Sequence, residues 1–282
     1  MFPAPIETAP RGQQIAYKTL LPVALIFWLL PLIAVAVFSI KPAGDFATGN
    51  YWTWPSSISF VENYSRVFLE SDMPRYLINS VMITVPTVIG AVALSCMTGF
   101  ALGIYKFKAN LWIFFMFVAG NFVPFQILMV PVRDLTLDLG LYNTKTGLVL
   151  FHIAFQTGFC TLFMRNFIRA LPFELIEAAR VEGIAEWRIF WFVVLPLMKP
   201  AIAALSVLIF TFIWNDYFWA VVLTQGVDAQ PVTAGITSFN GQYTAAYHMM
   251  SAGSIIAALP PVAMFFLMQK HFIAGLTLGA VK

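Results

Sequence analysis

Charge is scarce in this sequence. Asp, Glu, Lys and Arg make up 10% of 282 residues, against about 25% in an ordinary soluble domain. Too little polar surface remains to cover a water-facing globule. Cysteine is scarcer still: Cys96 and Cys160 both sit in apolar stretches, with no CxxC and no Cys/His spacing. Two buried free thiols are expected, which excludes a disulfide framework and a zinc site. Also missing is the G-x4-G-K-[ST] phosphate loop, so the chain has no ATP site of that kind. His152, His248 and His271 are scattered, without metal spacing or a Ser/His/Asp arrangement. They are expected to be structural or interfacial, and neither a metal centre nor an enzyme active site is expected. The net charge of +3 is too small for a nucleic-acid footprint and suggests cations at a membrane face.

What the sequence has instead is long uncharged runs. Six apolar segments, at about 20–40, 76–104, 111–132, 146–164, 201–223 and 251–269, each approach the roughly 20 residues that cross a bilayer. Backbone groups in lipid must be satisfied internally, so each run is expected to be helical. Pro31, Pro86, Pro124, Pro260, Pro261, Gly99 and Gly120 lie inside these runs and mark kinks or close helix approach. Gly99 and Gly103 form a small-xxx-small pair. The first run, with Arg11 and Lys18 ahead of it and an Ala34-Val35-Ala36 box inside it, is longer than a signal-peptide core of about 7–15 residues. A retained first helix is expected.

Charge orients the bundle. With the N-terminus inside, the inner segments 1–19, 105–110, 165–200 and 270–282 carry eleven Lys and Arg, and the outer segments 41–75, 133–145 and 224–250 carry five over nearly equal length. The excess places both termini in the cytoplasm. The outer stretch NYWTWPSSISF (50–60) suits either the headgroup interface or stacking on a sugar.

Segment 165–200 is far longer than a helix–helix connection needs. Pro172 and Glu174 suit a first helical turn. Leu175, Ala178 and Ala179 then give a small apolar face, Gly183 stops the helix, and Glu186 to Phe192 restart it amphipathically. Periodicity leaves two readings open: a knob that fits another protein's groove, or an amphipathic helix lying on the bilayer.

Glu177-Ala178-Ala179, three residues, Gly183, nine residues and Val193-x-Leu195-Pro196 resemble the EAA loop of permease subunits of binding-protein-dependent ABC importers. Glu182 stands where that family usually has Asp, and Val193 where it has Ile. The C-terminal HFIAGLTLGAVK (271–282), the F-x-x-N-Y at 60–64, Asn79-Ser80 and Trp214-Asn215-Asp216-Tyr217 are similar to the smaller maltose-transporter-type permease of the carbohydrate-uptake class. The resemblance implies an all-α membrane protein of six transmembrane helices with the type I importer permease fold. Its parts would be a cytoplasmic tail at 1–19, a first helix at 20–40, a periplasmic loop at 41–75, a core at 76–270 holding the coupling loop 165–200, and a tail at 271–282. It implies coupling to ATPase subunits through Glu177, Ala178, Ala179 and Gly183, with ATP and magnesium on those partner chains. The other implied partners are a second permease subunit, a periplasmic solute-binding protein, a sugar or oligosaccharide, and membrane lipid.

Polar groups inside the spans are few. Asn121, Gln126, Asn215 and Asp216 are candidates for lining a sugar pathway, and His152 and Gln156 lie in the fourth span. Ionisable groups at membrane depth usually face protein or a water-filled cavity. Asp216 has two further readings, as a tie between helices or as the mark of a span that ends early. A permease for a non-sugar solute and an ion-coupled secondary transporter are the competing functions. The second needs buried acid–base relays, and Asp216 is the one carboxylate expected within a span.

Overall fold

The computed structural model describes residues 6–239 and 246–280, with side chains through Gln269. Its helices, in chain order, are α1 (Arg11–Ile40), α2 (Ala43–Ala47), α3 (Phe60–Leu69), α4 (Met73–Ile104), α5 (Asn110–Gly120), α6 (Met129–Asp138), α7 (Lys145–Ile168), α8 (Phe173–Val181), α9 (Glu186–Ile189), α10 (Leu195–Leu197), α11 (Lys199–Trp214), α12 (Phe218–Leu223), α13 (Val232–Gly235) and α14 (Tyr247–Ala280). No strand occurs among the described residues. Four helices are long and apolar enough to cross a membrane, and six spans result when each of two bent pairs counts as one.

The bend in the third run and a break in the fifth correct the expectation of continuous runs. The third run is two arms, Asn110–Gly120 and Phe125–Asp138, bent by 88°. Pro124 stands at the break, where its missing N–H and the restriction it places on Val123 end helical propagation. The fifth run stops at Trp214 and resumes at Phe218, so Asn215 and Asp216 lie in a break. The segment Glu186–Leu197 meets Lys199–Trp214 at 73°. Helix α1 begins at Arg11, nine residues before the uncharged run. The helix of the last run continues through the expected tail to Ala280.

The chain divides into two compact units. One comprises residues up to Ser71 with Phe239–Ile256. Here Asn63 donates from Nδ2 to the carbonyls of Ser39 (2.9 Å) and Lys41 (2.8 Å), satisfying orphan acceptors at the end of α1. Lys41 is fully buried and donates to the carbonyls of Asn50 and Tyr51. Its ammonium lies 5.9 Å from the ring centroid of Phe38 and 5.8 Å from that of Phe46. Ser56 donates to the Asp45 carboxylate from both its amide and its hydroxyl, which holds that carboxyl below its usual range.

The other unit comprises Asp72–Ser238 with residues from Ala257 onward and is built on α4 packed along α7. Glycine permits the approach. A Cβ on Gly99 would lie 2.9 Å from Met164 Cβ and 3.0 Å from the Arg165 amide nitrogen, so the small-xxx-small pair faces α7. Thr98 and Thr161 share a 2.7 Å hydrogen bond across the same seam. The free thiols of Cys96 and Cys160 are buried in this core. Asn79 donates to the carbonyls of Val227 and Gln230, and Ser80 Oγ accepts from the Val232 amide. The Asn-Ser pair thus anchors the loop after α12.

Candidate coupling helix and membrane cavity

Pro172 at the N-cap starts α8. The helix ends at Val181, and Gly183 follows at φ +74°. The Gly183 amide donates to the Arg180 carbonyl (3.0 Å) and the Ile184 amide to the Ala179 carbonyl (3.0 Å). This is the paired bonding of a Schellman ending, which needs a left-handed residue, a backbone conformation that glycine takes without the strain a Cβ brings. Beyond the turn, the Arg180 guanidinium forks onto Glu186, Nε to Oε1 at 2.6 Å and Nη2 to Oε2 at 3.2 Å. Tyr105, in the connection after α4, donates to Glu186 Oε2 at 2.7 Å. One carboxylate therefore joins α8, α9 and the end of α4. Its hydrogen bond from Arg180 lowers the Glu186 pKa, and the same bond raises that of Arg180. Burial first, then the bond to Glu186, pushes the Tyr105 phenol up to about 12.

The faces of α8 are distinct. Ile176 and Ala179, three apart, are buried in the chain's own core. Leu175, Glu177, Ala178, Val181 and Glu182 are exposed, Val181 at 88%. The expected small face of Leu175, Ala178 and Ala179 is thus corrected: Ala178 and Ala179 are about 100° apart around the axis, and only Ala178 points outward. The segment after the turn buries Ile189, Phe190 and Val194 while exposing Trp187, Trp191 and Phe192. This amphipathic pattern suits the bilayer interface. Both helices present exposed apolar side chains, Leu175 and Val181 on α8 and Trp187, Trp191 and Phe192 after the turn.

A second feature lies deeper. A cavity of about 330 Å³ is lined by Asn121, His152, Gln156 and Asp216 together with Phe125, Phe155, Phe159, Phe212, Ile213 and Trp219. Asp216 sits in the break before α12. Its carboxylate accepts from the amides of Ala220 (3.0 Å) and Trp219 (3.4 Å), filling orphan donors at that helix start. His152, buried on α7, brings Nε2 to 3.5 Å from Asp216 Oδ2, and that nitrogen has no hydrogen-bond partner among the described residues. Two of the four polar pathway candidates, Asn121 and Asp216, line this space. Gln126 is exposed elsewhere, and Asn215 turns its amide back to the Thr211 carbonyl at 2.9 Å. His152 was expected to be structural or interfacial, and nothing in the sequence paired it with Asp216. His248, in the other unit, stacks on Phe46 with ring centroids 6.0 Å apart. The side chain of His271 lies outside the described residues.

Comparison with known proteins follows the geometry. The chain is 33% identical to the osmoprotective-compound uptake permease GgtD of Synechocystis, over 90% of this chain and 88% of that protein. It is 32% identical to the arabinooligosaccharide transport permease AraQ of Halalkalibacterium halodurans, over 90% of this chain and 91% of that one. Its fold matches a chain from a crystal structure of a bacterial ABC transporter that imports the acidic polysaccharide alginate, with a TM-score of 0.82 at 22% identity, over 95% of this chain and all of the other. Residues 72–277 match the family of inner-membrane components of binding-protein-dependent transport systems, and the chain belongs to that family.

Proposed function

We propose that this chain is one of two paired permease subunits of an ATP-driven importer for a sugar or oligosaccharide. It forms half of the translocation pathway, and its termini and α8 face the cytoplasm. ATP and magnesium bind to two separate ATPase subunits, and a periplasmic protein delivers the solute. The observation that carries the reading is α8, a short helix with one face rooted in the core and the other free. A Schellman turn and the Tyr105–Glu186–Arg180 link fix its direction. A rigid free helix of this kind transmits displacement: an ATPase that grips Leu175, Ala178 and Glu182 moves α8, and α8 moves α4 through Glu186. Gly183 sets the angle at which the helix meets its partner.

Similarity to a permease for arabinooligosaccharides supports a polyhydroxylated solute. The cavity chemistry fits one. Aromatic faces pack on the apolar faces of a sugar ring, and Asn121, Gln156, His152 and Asp216 offer both donors and acceptors to hydroxyls.

Reconstitution into proteoliposomes tests the function. The chain, co-assembled with its second permease and ATPase, should accumulate a labelled oligosaccharide when ATP and binding protein are supplied, and the isolated chain should neither bind nor hydrolyse ATP. Accumulation driven by an ion gradient without ATP would replace the importer reading with secondary transport.

A further inference from the structure

A further cavity lies apart from both the exposed face of α8 and the aromatic cavity. It measures about 650 Å³ and is bounded by the connection between α4 and α5 and by the end of α7. Four cations line it, Lys106, Lys108, Arg165 and Arg169, and no carboxylate is among its lining residues. Four like charges around one space repel one another unless an anion is present.

Arg165 shows how far the site is built. It is only 8% exposed. Its Nε donates to the Leu102 carbonyl (3.1 Å), and its guanidinium lies 3.9 Å from the ring centroid of Phe114. Those two contacts fix the plane of the fork. Its terminal nitrogens have no partner among the described residues. Lys106, Lys108 and Arg169 are exposed and likewise make no side-chain hydrogen bond or ion pair there. A planar fork with free donors beside exposed lysine ammonium groups matches a phosphate diester.

The surroundings decide which phosphate. Helix α5 starts at the cavity rim and carries no charged residue. Its outer side exposes Leu111, Trp112, Phe115 and Met116, Trp112 at 77%. An apolar stripe with an exposed Trp, leading from a basic pocket, is the pattern for a lipid with its head in the pocket and its acyl chains along the helix. We infer that this cavity is a binding site for an anionic phospholipid headgroup. Phe173, the first residue of α8, also lines it, so the bound lipid braces the root of that helix.

The test uses the assembled transporter and the triple variant Lys106→Gln, Lys108→Gln, Arg169→Gln, which spares the structural Arg165. Native mass spectrometry would compare retention of phosphatidylglycerol with that of phosphatidylcholine. Each cation near an anionic lipid contributes about fivefold, so the variant should retain phosphatidylglycerol at least about tenfold less, with phosphatidylcholine unchanged and millimolar inorganic phosphate failing to displace the lipid. Equal retention of both lipids by the natural chain, or unchanged retention by the variant, would overturn the inference. Displacement by inorganic phosphate would make it a site for free phosphate instead. Loss of the ATPase from the variant with lipid retained would make it a protein contact.

Discussion

Gly183 carries the conformation on which α8 depends. At φ +74° a Cβ costs about 1–2 kcal/mol, and a β-branched side chain more. Gly183→Val is therefore expected to fray the Schellman ending while leaving the spans inserted. The neighbouring Glu186 carries a different load. Its pKa is depressed in the folded chain, so its contribution is fully present above the ordinary value of 4.5 and is lost as pH falls through the lower folded value. The link is thus constant across neutral pH. Half-exposed, it contributes little to global stability, but Glu186→Ala should unfasten Tyr105 and Arg180 together. Proteolysis or hydrogen exchange at 173–186 should then accelerate with the melting temperature little changed. Exchange as slow as in the natural chain would remove the link from the mechanism. Asp216→Asn keeps one carbonyl acceptor for the α12 amides, so assembly should persist while solute uptake falls. Normal uptake at normal expression would return Asp216 to a purely structural role.

The elements were legible to different depths. Uncharged runs located the helices because hydrocarbon admits little else, and Gly183 announced its turn because few other residues take that conformation. Pro124 was visible too, but a proline says only that a helix is interrupted. The 88° bend is set by what α5 and α6 pack against. Ala178 and Ala179 look interchangeable in sequence, and only the packing of α8 separates the inward one from the outward one. The Arg180–Glu186 link spans a turn, so helical i,i+4 counting does not reach it, and His152 meets Asp216 only after α7 and the break before α12 are placed. The two alanines supply a prediction. Ala179→Trp forces a large ring into the core at a cost of about 1–3 kcal/mol or more and should lower the yield of folded chain. Ala178→Trp should fold normally and weaken ATPase binding. Equal behaviour of the two variants in both folding and ATPase binding would contradict the assignment of faces.

At the scale of the whole molecule, the topology proposed from eleven inner against five outer cations puts Ser56 and Asp228 outside the membrane and Arg180 inside. Single cysteines at these positions should label from outside only at Ser56 and Asp228. The buried thiols of Cys96 and Cys160 give little background. Labelling of a cysteine at Arg180 in sealed cells would invert the topology. An importer further requires that force applied at α8 reach the solute path, which the rigid seam of α4 and α7 permits because both helices border the coupling loop and α7 also lines the cavity. Failure at α8 should therefore uncouple transport without dismantling the membrane unit. The most direct measurement is ATPase co-purification and oligosaccharide uptake in the same cells for the Gly183→Val chain. The expected result is a chain inserted at normal level, with the ATPase lost or hydrolysing ATP without uptake. Full ATPase retention together with normal uptake would contradict the assignment of α8 as the coupling helix.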